Sequence, residues 1–199
     1  MYKFGITGTI GSGKSTVSLV FKENGIPIFD SDEYSKLCLT SGHPCFMKII
    51  EVFGNSILTE ERELNRKKLA QIIFQDESKR KILNNIVHPA IKQGMLDFFL
   101  EHSNSNLVGA EVPLLFECKW ESLFDEIIVV TCSDKKAIER LIEYRNFTKS
   151  DAENRLKAQI HKEDQIQKAD TVIYNEGTLV ELNSVVRKWI EEKKDGIKD

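Results

Sequence analysis

The segment GITGTIGSGKST, residues 5–16, constrains the fold more than any other part of the chain. Gly5, Gly8, Gly11 and Gly13 fall within nine residues and lead into Lys14 and Ser15. A glycine loses more conformational freedom on folding than another residue does, so this concentration is costly unless bare backbone is needed there. An apolar run at 2–7 reads as a buried strand, and an amphipathic run at 15–25 reads as a helix closed by Gly25. Gly8 to Ser15 fits G-x-x-x-x-G-K-[ST] in the strand-to-helix setting that gives this pattern meaning. In such a loop successive backbone N–H groups converge on one anion, and the helix N-terminus adds its dipole. Gly11, Ser12, Gly13, Lys14, Ser15 and Thr16 are therefore expected to bind nucleotide phosphates. Lys14 would reach the β and γ phosphates, and the Ser15 hydroxyl would bind Mg²⁺.

The rest of the chain alternates strand and helix. Residues 26–30 read as a second strand begun by Pro27, and 106–113, 125–132 and 170–175 as three more. Helical spacing marks 33–39, 46–53, most of 66–102 with an interruption at Pro89, and the charged stretch 134–168. Leu179, Leu182, Val185, Val186, Trp189 and Ile190 form one apolar stripe in a final helix. This pattern predicts an α/β fold of the P-loop NTPase type, a mainly parallel sheet flanked by helices. The helical stretch between strands two and three is too long for a simple crossover. We expect a core of 1–32, 106–133 and 169–194, a helical acceptor-binding insertion at about 33–105, and a helical lid at about 134–168.

Composition narrows the partners. A length of 199 residues suits one core-bearing domain with a small insertion. Lys and Arg total 28 against 31 Asp and Glu, so no basic excess points to nucleic acid. The longest apolar runs, such as 127–130, are too short to span a bilayer, and MYKFGIT lacks the features of a signal peptide. A cytoplasmic protein, with a monomer favoured, is expected. Cys38, Cys45, Cys118 and Cys132 are scattered without a C-x-x-C pair, and His43 beside Cys45 is too little for zinc, so all four are expected to be ordinary reduced thiols. The charged end, 191–199, is expected to fray.

Binding a nucleotide is not yet a reaction. The chain lacks an N-K-x-D guanine-reading motif and a D-x-x-G at a switch position. It has FDSDEY at 29–34, with Asp30 and Asp32 at the end of the second strand, the edge where an acceptor would face the γ-phosphate. Carboxylates one residue apart at a strand end point in different directions. One can take the proton of an acceptor hydroxyl while the other helps organise the metal. Asp30 or Ser31 could instead cap the following helix. Beside a P-loop, catalysis is favoured, which makes a small-molecule kinase the leading reading and a nucleotide-binding switch the alternative.

Together, GITGTIGSGKST, DSD at 30–32, IVHP at 86–89, VPLLFE at 112–117 and KADTVIYNEGT at 168–178 resemble the dephospho-coenzyme A kinase family, over about residues 3–190. That resemblance implies transfer of the ATP γ-phosphate to the ribose 3′-hydroxyl of dephospho-CoA. It further implies that Asp32 is the general base and Asp30 its companion near the metal. His88 and Arg66 would lie close to the acceptor, and Pro113, Leu114 and Glu117 beside the nucleotide and acceptor pocket. Arg140 and Arg145 would be lid arginines, and Asn175 would lie near the adenine. Outside the resemblance, His88 could simply end a helix, Pro113 and the leucines could be turn and core, and the arginines a solvated face. The chain departs from the family pattern at Asn65, where Asp is common, Asn84 (Glu), Ala137 (Gln) and Gln165 (Lys). Another P-loop kinase, acting on a nucleoside or nucleoside monophosphate, is the nearest rival.

Overall fold

The structure is a computed structural model and describes residues 1–196. In chain order it begins with β1 (Tyr2–Gly8), α1 (Lys14–Glu23) and β2 (Ile28–Asp30). Then come α2 (Ser31–Cys38), α3 (Pro44–Phe53), α4 (Arg66–Gln75) and α5 (Glu77–Glu101). After these follow β3 (Leu107–Glu111), β4 (Glu126–Thr131), α6 (Asp134–Arg145), α7 (Lys149–Lys157), α8 (Lys162–Gln167), β5 (Thr171–Tyr174) and α9 (Leu179–Gly196). The chain divides into two compact units, one of Met1–Asp30 with Phe99 onward, the other Ser31–Phe98.

The first unit is built on a parallel sheet of order β2-β3-β1-β4-β5. Strands β3 and β4 are buried along their whole length, as their near-continuous apolar runs require in a sheet covered on both faces. Register brings functional strand ends together: Ile6 lies opposite Glu111, and Glu111 opposite Asp30. The glycine loop leaves β1 at that same end. On one face Phe4, Phe21 and Trp189 meet with ring centroids 4.7–5.3 Å apart, tying β1 to α1 and α9. Such aromatic contacts add to area burial. No helix among the described residues is long and apolar enough to cross a membrane. Helix α9 runs through Gly196, so 191–196 of the charged end are helical, while 197–199 lie outside the described residues.

One buried carboxylate anchors α9. Glu126 is 4 % exposed and accepts hydrogen bonds from the Trp189 indole (2.9 Å), the Thr171 hydroxyl (2.7 Å) and the Tyr2 hydroxyl (2.7 Å), beside an ion pair with Lys193. Desolvation pushes the carboxyl upward, but Lys193, Thr171, Tyr2 and Trp189 together outweigh it and hold its pKa below the ordinary 4.5. The unfolded chain thus binds this proton more tightly than the folded one. The stabilisation is complete above the ordinary carboxylate pKa and is lost as pH falls through the depressed folded value. Glu126→Ala is expected to cost about 3 kcal/mol in urea unfolding, the lower end for a broken buried pair because Lys193 can turn to water. The variant should also lose less stability than the parent on acidification, and an equal loss would rule the carboxylate out as the acid-sensitive group.

The second unit corrects one expectation. Pro89 does not interrupt the long helical stretch: α5 continues through it, and the break falls earlier, at Asp76 between α4 and α5. The Asp76 carboxylate accepts from the Ser78 and Lys79 N–H groups, starting a new helix. An internal proline removes one N–H and crowds the turn before it, which loosens carbonyls there. The carbonyl left without that N–H is Asn85 O, four residues before Pro89, and the Cys45 thiol donates to the next one, Ile86 O, at 3.6 Å. His88 therefore sits inside a helix rather than at its end.

Candidate active site

The loop between β1 and α1 has the backbone that its glycines predict. Gly11 and Gly13 adopt φ of 77° and 97°, in the left-handed region. A side chain at Gly11 would come within 2.7 Å of Ala137 O, and one at Gly13 within 2.2 Å of Asn175 Nδ2. These glycines thus serve both curvature and close approach. The Ser12 hydroxyl is buried without a hydrogen-bond partner, a polar atom left over in a loop shaped for an anion. Lys14 is buried and folds back over the loop, its ammonium donating to Gly8 O and Thr9 O, both at 2.9 Å. That arrangement stores a cation against the loop.

At the head of α1 the Ser15 hydroxyl donates to Glu111 Oε1 at 2.9 Å. Glu111 is buried at the end of β3, and by register Asp30 stands beside it at the end of β2. A hydroxyl and two carboxylates are hard oxygen donors that suit Mg²⁺. Sequence reading missed Glu111. The signal was present as an acid ending the apolar run NLVGAE, on the strand next to the loop's own.

Two side chains clamp the loop from the strand and helix that follow. Asn175, buried just past β5, donates from Nδ2 to Ser12 O at 2.8 Å and from its backbone N–H to Thr131 O at 2.7 Å. Arg140 on α6 donates to Gly11 O (3.5 Å), Ser12 O (3.3 Å), Asn175 O (3.1 Å) and Asn175 Oδ1 (3.2 Å). Gln159, also missed, accepts from the Ile10 N–H at 2.7 Å. Arg145 and Arg155 remain exposed, Arg155 over the Phe147 ring at 4.6 Å. Gly13→Ala is expected to push Asn175 off Ser12 and strain a left-handed position, costing about 1–2 kcal/mol in backbone alone. ATP titration of the folded variant should show clear weakening, and unchanged affinity would free this clamp of any role in the loop.

Other sequence candidates fall as follows. Pro113 opens the turn after β3, where its carbonyl accepts from the Thr7 hydroxyl at 3.4 Å. Leu115 is core, whereas Leu114 and Glu117 are exposed. Asp32 is exposed in the first turn of α2. Arg66 opens α4 and donates to Lys36 O at 3.3 Å, and Asn65 caps the same helix by accepting from Lys68 N–H at 3.0 Å. Asn thus supplies the cap an Asp would. His88 is half-buried, and burial lowers its pKa from 6.5, favouring the neutral ring near neutrality. Ala137 packs directly beneath Gly11, while Gln165 is buried, donating to Ile160 O at 3.3 Å with its Oε1 unpartnered. The structure therefore brings the loop, Glu111, Asn175, Arg140 and Gln159 together in the first unit. Asp32, Arg66 and His88 belong to the second.

A Bacillus thuringiensis dephospho-CoA kinase is 39% identical over 192 residues, covering 93% of this chain and 96% of the relative. A solved dephospho-CoA kinase from Campylobacter jejuni superposes with a TM-score of 0.74 at 27% identity, covering 98% of both chains. The Thermus thermophilus protein TT1252 superposes with a TM-score of 0.82 at 27% identity, covering 96% of this chain and 97% of its own. The family profile for dephospho-CoA kinase matches residues 2–181, and the chain belongs to that family.

Proposed function

We propose that the protein phosphorylates the ribose 3′-hydroxyl of dephospho-CoA with ATP, giving CoA and ADP in the last step of coenzyme A biosynthesis. The observation that carries this reading furthest is the Ser15–Glu111 hydrogen bond at the mouth of a complete phosphate loop, in a chain of this family. Backbone N–H groups of Gly11 to Thr16 hold the phosphates, and the Lys14 ammonium exchanges its loop carbonyls for phosphate oxygens. Ser15, Glu111 and Asp30 would hold Mg²⁺, which when bound neutralises charge on the transferring oxygens. Asp32 accepts the proton of the ribose hydroxyl, whose oxygen then attacks the γ-phosphorus in line. His88 and Arg66 contribute to the acceptor site, as do Pro113, Leu114 and Glu117 after β3. Asn175 serves the adenine side. Arg140, held against the loop, adds positive charge beside the phosphates, and 134–168 acts as a lid that excludes water. A cytoplasmic monomer that binds no nucleic acid completes the reading.

The test is ADP release from Mg-ATP by the purified protein with and without dephospho-CoA, while CoA is followed by mass. Strong stimulation, with product heavier by one phosphate at the 3′ position, supports the proposal. Stimulation by a nucleoside or nucleoside monophosphate, with dephospho-CoA left unchanged, overturns it.

A further inference from the structure

The second unit holds a cluster that the phosphoryl-transfer machinery does not use. Cys38 closes α2, His43 caps α3, and Cys45 is the second residue of α3. The ligating atoms of these three side chains all lie within 4.8 Å of one another, and both cysteines are buried and free. On sequence alone His43 beside Cys45 is too little for zinc; the fold adds Cys38, in the spacing C-x4-H-x-C. A helix end, a tight turn and a helix start fold it into one place. The turn is itself fixed: Thr40 N–H bonds Leu37 O at 3.0 Å, His43 N–H bonds Thr40 O at 3.2 Å, and Gly42 takes φ of 90°. The cluster is therefore preformed, and little chain entropy stands against filling it.

From this geometry we infer that Cys38, His43 and Cys45 form a zinc site that staples α2 to α3. Two thiols and an imidazole are soft-to-borderline donors, which select zinc or copper(I) and disfavour Mg²⁺ and Ca²⁺. Charge decides between the first two. Two thiolates around Zn²⁺ give a neutral unit, whereas around Cu⁺ they leave a net negative charge where both sulfurs are buried. With three protein ligands, the fourth tetrahedral position is taken by water. Binding sends two thiol protons to solvent. The His43 imidazole accepts the Cys45 N–H at Nδ1, 3.1 Å away, which holds the ring beside the two sulfurs.

Cobalt(II) titration of the reduced full-length protein reads the site directly, because the Mg²⁺ site has only oxygen donors. The expected result is thiolate-to-cobalt charge transfer with the visible bands of tetrahedral cobalt, saturating at one ion per chain and bleached by zinc. Zinc should also raise the melting temperature. Cys38→Ser and Cys45→Ser should abolish the charge-transfer band, and Cys118→Ser should keep it. His43→Asn retains a good helix cap while removing the imidazole. It should fold normally and bind zinc more weakly by more than the ~10–100-fold typical of losing a supporting outer contact. Absence of thiolate–cobalt absorption in the reduced protein, a band that survives Cys38→Ser, or a Cys38–Cys45 disulfide in protein that takes up no metal would each overturn the assignment.

Discussion

Asp32→Asn should lower turnover by roughly 10²–10⁴, the usual contribution of a positioned base, while leaving ATP affinity nearly unchanged. The expectation separates two kinds of residue. The loop, its clamps and the Ser15–Glu111 pair lie in the first unit, so a change in α2 leaves every hydrogen bond described there intact. Asparagine is close in size, keeps one acceptor oxygen and tolerates a first helical turn, so the lost function is proton uptake. Turnover against acceptor concentration, together with ATP titration, checks this. Near-normal turnover would remove Asp32 from the base role, and a parallel collapse of ATP binding would make its role structural.

Lys14→Ala acts on the other side of the reaction. Its ammonium is held beside the loop by two carbonyls, so it is close at hand before any phosphate arrives and exchanges those partners for phosphate oxygens. Removing one preorganised donor to developing charge costs on the order of 10²–10³ in turnover, and loss of a full positive charge should reach the upper end. The variant should still fold, since the lysine contributes no apolar core. Single-turnover ADP formation at saturating ATP measures the chemical step. Retained activity would mean that the loop binds its anion without using Lys14.

The legible part of this protein was whatever the backbone or a continuous surface dictates. The loop was readable because four glycines at that spacing have little other use, and the strands because a doubly covered sheet demands long apolar runs such as EIIVVT. The site's outer parts were not. Glu111 is one acid at a strand end, and its meaning depends on β3 lying beside β1, an order unrelated to chain order. Gln159 is a polar residue in a charged helical stretch, distinguished only by reaching Ile10. Pro89 was read as a break because local rules forbid it a hydrogen bond, whereas the surrounding helix tolerates it. Arg140 and Asn175 were found by resemblance, and their loop clamp could not have been seen in spacing.

The position of the second unit in the chain has a consequence for how the family can diversify. The chain leaves the sheet at Asp30 and returns to it at Leu107, with the second unit, 31–98, between, and the strand it leaves from, β2, is three residues long and pairs with β3 alone. The intervening segment is thus a cassette spliced at a margin. Its replacement leaves the pairing of β3, β1, β4 and β5 untouched. On the proposal that His88 and Arg66 serve the acceptor, exchange of this segment would change those acceptor contacts while the loop, Glu111 and Asn175 are kept.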